Sequence, residues 1–170
     1  MSFNINTDTP DFPDSVFVAH NATVIGDVAL GENVSIWYGA RLRGDIAPIS
    51  IGANSNVQDN ATIHVDFDIP VNIGANVTIG HNAVIHGTTI EDDALIGMGA
   101  IVLNRAVVGK GSIVGAGSVV REGMIIPAGS LVAGVPAKVL KELSPEQQAH
   151  IKDNAAVYVA CAKQHKLAGH

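Results

Sequence analysis

Aromatic residues are scarce in this chain: four Phe, two Tyr and one Trp among 170 residues. The two sheets of a β-sandwich usually enclose bulky rings, so that kind of core is excluded. Leucine is sparse as well, at 8 residues against 21 Val and 18 Ile. β-Branched side chains favour pleated backbone, and the balance argues against a mainly helical protein. The one cysteine, Cys161, excludes an internal disulfide and reads as packing in a helix. Positive charge is in deficit, with 10 Lys and Arg against 16 Asp and Glu and no block of either sign. Nucleic acid and anionic membranes both call for a basic footprint, so neither is an expected partner. No apolar run approaches a bilayer span, and residues 1–10 lack the layout of a signal peptide; a cytoplasmic location is expected. Gly-x-Ser-x-Gly, Gly-x-Gly-x-x-Gly and Walker-type Gly-Lys-Ser/Thr signatures are also missing.

What is present is a repeat. From Ile90 an aliphatic residue recurs every six positions: Ile90, Ile96, Val102, Val108, Val114, Val120, Ile126 and Val132. Upstream the same step links Val18, Val24, Leu30, Ile36 and Leu42, then Ile51, Val57 and Ile63, then Ile73, Ile79 and Ile85. The nineteen anchors are interrupted by three extra residues between 42 and 51, four between 63 and 73, and one too few between 85 and 90. Gly often follows an anchor, and small residues tend to lie four after it. A six-residue period suits neither a helix face nor an alternating strand. It suits a coil of short strands with a corner after each, the anchor inside and Gly or Asn easing the bend.

This pattern resembles the hexapeptide-repeat, left-handed parallel β-helix superfamily. The resemblance supplies the handedness and the three hexads per triangular coil. Nineteen hexads then make about six coils, an all-β prism over residues 10–140. After Val132 the pattern stops, and Ser144-Pro145-Glu146-Gln147 reads as a helix start with a capping box. Ile151, Ala155, Tyr158, Val159 and Ala162 form one apolar stripe, so a C-terminal α-helix over 144–167 is predicted to pack on the prism or on a neighbouring subunit.

Three of the 7 histidines fall close together: His64, His81 and His86. In the hexad frame Ile63 and Ile85 share a face on successive coils, and a histidine follows each. The pair should stack at the strand spacing of roughly 4.8 Å, near enough to converge on one metal. His81 lies two positions after Ile79, on the neighbouring face, and points away from that pair. It completes the same site only by reaching in from another subunit, as a three-fold oligomer would allow. Arg43 occupies the column of His64 and His86 one coil earlier, with Asp45 two residues on; the two read as a salt bridge or an anion contact beside the metal. Gln58 and Asp59 follow Val57 on the face of His81 and read as ordinary corner residues or as groups orienting a ligand or a metal-bound water.

The segment Trp37-Tyr38-Gly39-Ala40-Arg41-Leu42-Arg43-Gly44-Asp45, with Val57-Gln58-Asp59-Asn60, His64, His81-Asn82 and His86-Gly87, resembles the γ-class carbonic anhydrase family over roughly residues 10–160. The resemblance implies a homotrimer with zinc (Zn2+, or Fe2+ in some members) at each subunit interface. It implies His64, His81 and His86 as ligands, two from one chain and one from the next. It also implies Arg43 and Asp45 paired at that interface, and Gln58 and Asp59 near the metal-bound water. The activity implied is reversible hydration of CO2 to bicarbonate by a metal-activated hydroxide. Two departures bear on rate: Ile46 follows Asp45 where the family prototype has a glutamate, and the loop from Val65 to Val71 has only Asp66 and Asp68 as acids. With less of the proton-shuttle equipment, slow hydration is expected. The family's C-terminal helix often brings a tyrosine near the site, and Tyr158 is the residue that corresponds to it. The same prism also carries acyl-CoA acyltransferases, metal-dependent thioesterases and non-catalytic assembly subunits, so the repeat alone leaves those readings open.

Overall fold

Eighteen of the nineteen anchors are buried, and Val18, on the first rung, is half-buried. The computed structural model describes residues 5–169. Each anchor sits over its counterpart on the next coil, giving three columns. Val18, Ile36, Val57, Ile79, Ile96, Val114 and Val132 form the first face. Val24, Leu42, Ile63, Ile85, Val102 and Val120 form the second. Leu30, Ile51, Ile73, Ile90, Val108 and Ile126 form the third. All of these ladders are parallel, so the chain is a parallel β-helix of about six turns, filled by branched aliphatic side chains. The lack of large rings is a consequence of that interior: a triangular coil has room for one aliphatic anchor per side.

The three irregularities are handled differently. The extra residues between Leu42 and Ile51 make no loop. The strand Arg41–Ile51 runs on around the corner from the second face to the third, beside Thr23–Leu30, and a register shift between Gly26 and Val28 absorbs the surplus. The four surplus residues between Ile63 and Ile73 are taken up in a tight turn closed by backbone hydrogen bonds between Asp66 and Ile69 in both directions. The shortened hexad after Ile85 turns at Gly87, whose φ is +51°.

The regular bends use left-handed backbone three residues after an anchor. Asn33, Asn54, Asn76 and Asp93 occupy this position along one edge, with φ of 57°, 61°, 55° and 59°. Asn and Asp adopt this region more readily than other side chains. Here the amides also form a ladder: Asn33 donates to Asn54, Asn54 to Asn76, and Asn76 to Asp93, at 3.2, 3.1 and 3.0 Å. Asp93 ends the series as a pure acceptor, with the ammonium groups of Lys152 and Lys110 at 3.2 and 3.6 Å. The glycines directly after anchors have another purpose. A Cβ on Gly52 would lie 2.6 Å from the carbonyl carbon of Gly74 on the next coil. Small size at the close approach of two rungs, rather than a bend, explains them.

The helix Pro145–Leu167 begins at Ser144, which accepts from the backbone N–H of Gln147 while the Gln147 side chain accepts from that of Ser144. Its buried residues are Ile151, Ala155 and Ala162, with Tyr158 and Val159 half-buried beside them, and it lies along the first face. A last strand, Lys138–Glu142, pairs antiparallel with Ser130–Ala133. Among the described residues no helix is long and apolar enough to cross a membrane.

The amide ladder makes a measurable prediction. Asn76→Ala combines left-handed strain of about 1–2 kcal/mol with lost hydrogen bonds of about 1 kcal/mol, for a total near ~2–3 kcal/mol. Asn76→Gly relieves the strain and should cost only about 1 kcal/mol. Denaturant unfolding of both variants checks this; equal losses would remove the backbone conformation from the explanation.

Candidate metal centre

The second face carries the residues that follow its anchors in one outward column, in which Arg43 pairs with His64 and His64 with His86. The irregular spacing of 22 residues between the histidines is one coil plus the Asp66–Ile69 turn, and the ladder closes over it without loss of register. His64 Nδ1 lies 3.1 Å from His86 Nε2, with ring centroids 5.0 Å apart.

The other nitrogen of each ring faces an acceptor. His64 Nε2 is 3.2 Å from Asp45 Oδ1, and His86 Nδ1 is 2.5 Å from Asn104 Oδ1. An ionised carboxylate only accepts, so His64 donates from Nε2 and its lone pair stays on Nδ1. Asn104 is oriented in turn by donating its amide to Asp66 Oδ2 at 2.8 Å, which leaves its oxygen for His86. His86 Nδ1 is thus offered an oxygen acceptor, and its Nε2 is the nitrogen that faces His64. His64 Nδ1 and His86 Nε2 therefore face each other across one gap, where they can share a proton in an N–H···N hydrogen bond or turn two lone pairs on one cation. Their separation suits a single ion: bonds of about 2.0–2.1 Å at a tetrahedral angle place two nitrogens about 3.3 Å apart.

Asp45 is held from two sides. Arg43 Nη1 donates to its Oδ2 at 2.5 Å and His64 to its Oδ1; the Asp45 side chain is 10% exposed and that of Arg43 50%. Burial acts to raise the Asp45 pKa, but the hydrogen bonds from Arg43 and His64 and the Arg43 charge outweigh it and hold the carboxyl below its ordinary value. His64 is also held below the ordinary imidazole value, first by burial and then by the Arg43 charge and by repulsion from His86 when both rings are protonated, against the opposing pull of Asp45. A neutral His64 is the form that binds metal.

His81 sits apart from the pair, past the corner that follows Ile79 on the first face. Its Nδ1 is 2.9 Å from Asp59 Oδ2, so it too has a carboxylate beside one ring nitrogen, with Nε2 on the other side of the ring. Gln58 is buried and engaged at both ends of its amide: Oε1 accepts from the backbone N–H of His81 at 3.2 Å, and Nε2 donates to Asn56 at 3.1 Å. Asn56 donates on to Thr78, and Thr78 to Asn154 of the helix, both at 3.0 Å. Tyr158 shares a cavity of about 410 Å³ with Gln58 and His81 and packs edge-on against Trp37, ring centroids 5.4 Å apart. Burial, and then the nearby Asp59 and Cys161, push its hydroxyl pKa up.

Among the described residues of one chain, no group of three or more His, Cys, Asp or Glu converges as a metal set. One chain brings together His64, His86, Asp45 and Arg43, and separately His81, Asp59 and Gln58. The residues that sequence reasoning missed are Asn104, Asn56, Thr78 and Asn154. Asn104 lies two positions after the anchor Val102, one residue past the position in register with His86, because the coil between them is a residue short; no spacing in the sequence pointed to it.

The chain is similar to known proteins. A family model described as bacterial transferase hexapeptide (six repeats) matches residues 87–122. The chain is 45% identical over 168 residues to the mitochondrial γ carbonic anhydrase 2 of Arabidopsis thaliana, covering 95% of this chain and 60% of that protein. It therefore spans about three-fifths of the length of that plant relative. It is 40% identical over 158 residues to a carbonic anhydrase of Geobacillus kaustophilus, covering 93% of this chain and 87% of the relative. A crystal structure of a hexapeptide transferase family protein from Anaplasma phagocytophilum superimposes with a TM-score of 0.88 at 41% identity, covering 91% of this chain and 92% of that one.

The pH behaviour of the pair is testable in metal-free protein. His64 should titrate below the ordinary imidazole value of 6.5, and its contribution to stability should be intact above that value and lost as pH falls, because the unfolded chain takes the proton first. Asp45→Asn removes a partner that favours the charged ring, so His64 should titrate lower still in an NMR titration. A rise instead would contradict the assigned contact. The repeat, the outward histidine column and relatives matched at this identity over most of the chain agree: the chain belongs to the γ-carbonic anhydrase family of hexapeptide-repeat proteins.

Proposed function

We propose that this protein is a metal-dependent carbonic anhydrase that interconverts CO2 and bicarbonate at the subunit interfaces of a cytoplasmic homotrimer. The observation that carries the reading is the pair of ring nitrogens, His64 Nδ1 and His86 Nε2, turned toward each other across 3.1 Å with an acceptor on the far side of each ring. His81 is the third ligand, supplied by the neighbouring subunit, since its face of the prism turns it away from the pair in its own chain. Three neutral imidazoles suit zinc, with Fe2+ as the alternative, and either ion would leave a coordination position free. When bound, the metal supplies the Lewis acidity that makes water a nucleophile near neutral pH.

The protein's own groups fix the geometry around that position. Asp45 holds the His64 ring, and Asp59 holds the His81 ring through its Nδ1. Gln58, pinned at both ends, shapes the corner that carries His81, so Gln58 and Asp59 serve the centre through this histidine. Arg43 neutralises Asp45 and, half-exposed beside the pair, provides positive charge for the bicarbonate product. Proton removal is the weak step. Asp66 is engaged with Asn104, Ile46 is apolar, and neither replaces the family's glutamates, which supports a modest turnover.

The likeness to a hexapeptide transferase structure favours a second reading, acyl transfer from coenzyme A with a histidine as base, or a metal-dependent thioesterase. A transferase of that kind would turn over after the metal is stripped; a carbonic anhydrase would not.

Subunit mixing tests the shared site. His64→Ala and His81→Ala homotrimers should each lose metal and CO2 hydration. Unfolding and refolding them together should restore about a quarter of the sites, those in which an intact pair faces an intact His81. Metal content and a CO2-hydration assay on the mixture measure this. No recovery, with trimers formed, would rule out the cross-subunit ligand.

A further inference from the structure

The insertion between His64 and His81 has a role besides proton traffic. Its turn orients Asp66: the backbone N–H of Phe67 donates to Oδ1 at 2.8 Å, which leaves Oδ2 for the amide of Asn104. A flipped Asn104 would set its oxygen against a carboxylate, so the amide has one favoured orientation. Space is reserved for it as well. A Cβ on Gly87 would lie 2.7 Å from Asn104 Oδ1 and 3.0 Å from the Ile69 side chain, so the glycine beside His86 is also what lets Asn104 reach the ring.

We propose that Asn104, aligned by Asp66, is a positioning residue that locks His86 in the Nδ1–H tautomer and so directs its Nε2 lone pair into the gap shared with His64. The role in metal binding rests on the carbonic anhydrase reading; the tautomer does not depend on it. Ligating histidines commonly need an outer acceptor, and its loss typically lowers metal affinity about 10–100-fold. What is specific here is a neutral amide in the acceptor's place, made one-directional by a carboxylate from an inserted turn.

The test uses full-length protein labelled with nitrogen-15 in histidine, first freed of metal and then titrated with zinc against a chelator. Wild-type His86 should give the Nδ1–H signature. Asn104→Ala should shift the ring toward the Nε2–H form and weaken zinc binding about tenfold or more. Asp66→Asn should produce a smaller shift in the same direction. The double variant Asp66→Asn, Asn104→Asp exchanges donor and acceptor. It should recover the wild-type tautomer and most of the zinc affinity, which a merely structural role would not produce. The proposal is overturned if metal-free wild-type His86 is Nε2–H, if Asn104→Ala leaves the tautomer unchanged, or if the double variant fails to recover it. Wild-type protein that binds no zinc while keeping the Nδ1–H form would sink the metal reading and leave the tautomer lock standing.

Discussion

Every functional distance in this molecule follows from the stacking of buried aliphatic residues in three columns. Parallel rungs separated by roughly 4.8 Å hold their neighbours only if each anchor lies over the one below. That requirement fixes which outward residues share a column. His64 meets His86 because Ile63 is locked over Ile85, and Arg43 stands above His64 because Leu42 is locked over Ile63. A slip of one residue would turn anchors outward and histidines inward, so the buried core and the outward site are specified together.

Register brings the rings close, but their chemistry is set by what touches the far side of each ring. Asp45, Asp59 and Asn104 each occupy the nitrogen that faces away from the proposed centre. A histidine column without these acceptors would be a polar stripe on a prism, its rings free to choose either tautomer. The acceptors are carried on backbone that the coil already fixes: a strand turning a corner, a bend after Val57, a bend after Val102. Rigid placement on the repeat is how a surface site of half-exposed groups acquires a defined geometry.

The sequence made the anchors legible because burial demands one large aliphatic side chain per hexad, beside a small one two positions before it, and with them the coils, the histidine pair and the separation of His81. The helix start was equally readable, since Ser144 and Gln147 solve a local hydrogen-bonding problem. Other features depended on contacts between coils. The glycines after anchors looked like bends but are close approaches of two rungs, as at Gly52 and Gly74. The three extra residues before Ile51 were legible only as a break in the period; they pass into a continuous strand because the neighbouring strand Thr23–Leu30 shifts register with them. Asn104 carried no motif, and its importance appears only when Asp66, thirty-eight residues earlier in the chain, sets the direction of its amide.

The departures from the six-residue step also have a pattern. All three lie between Leu42 and Ile90, and every residue proposed for the centre falls in the same interval. From Ile90 onward the hexads run without a break to Val132, and Asn104, the outer acceptor of His86, is the residue there that touches the site. Regular coils offer side chains only at fixed points on flat faces. The turn at Asp66–Ile69 lifts a carboxylate off the lattice to reach Asn104, and the continuous strand Arg41–Ile51 keeps Asp45 beside His64 where a regular corner would turn the chain away. The uninterrupted coils give the prism stability, and the irregular ones, held in register between their neighbours, give it a place for chemistry.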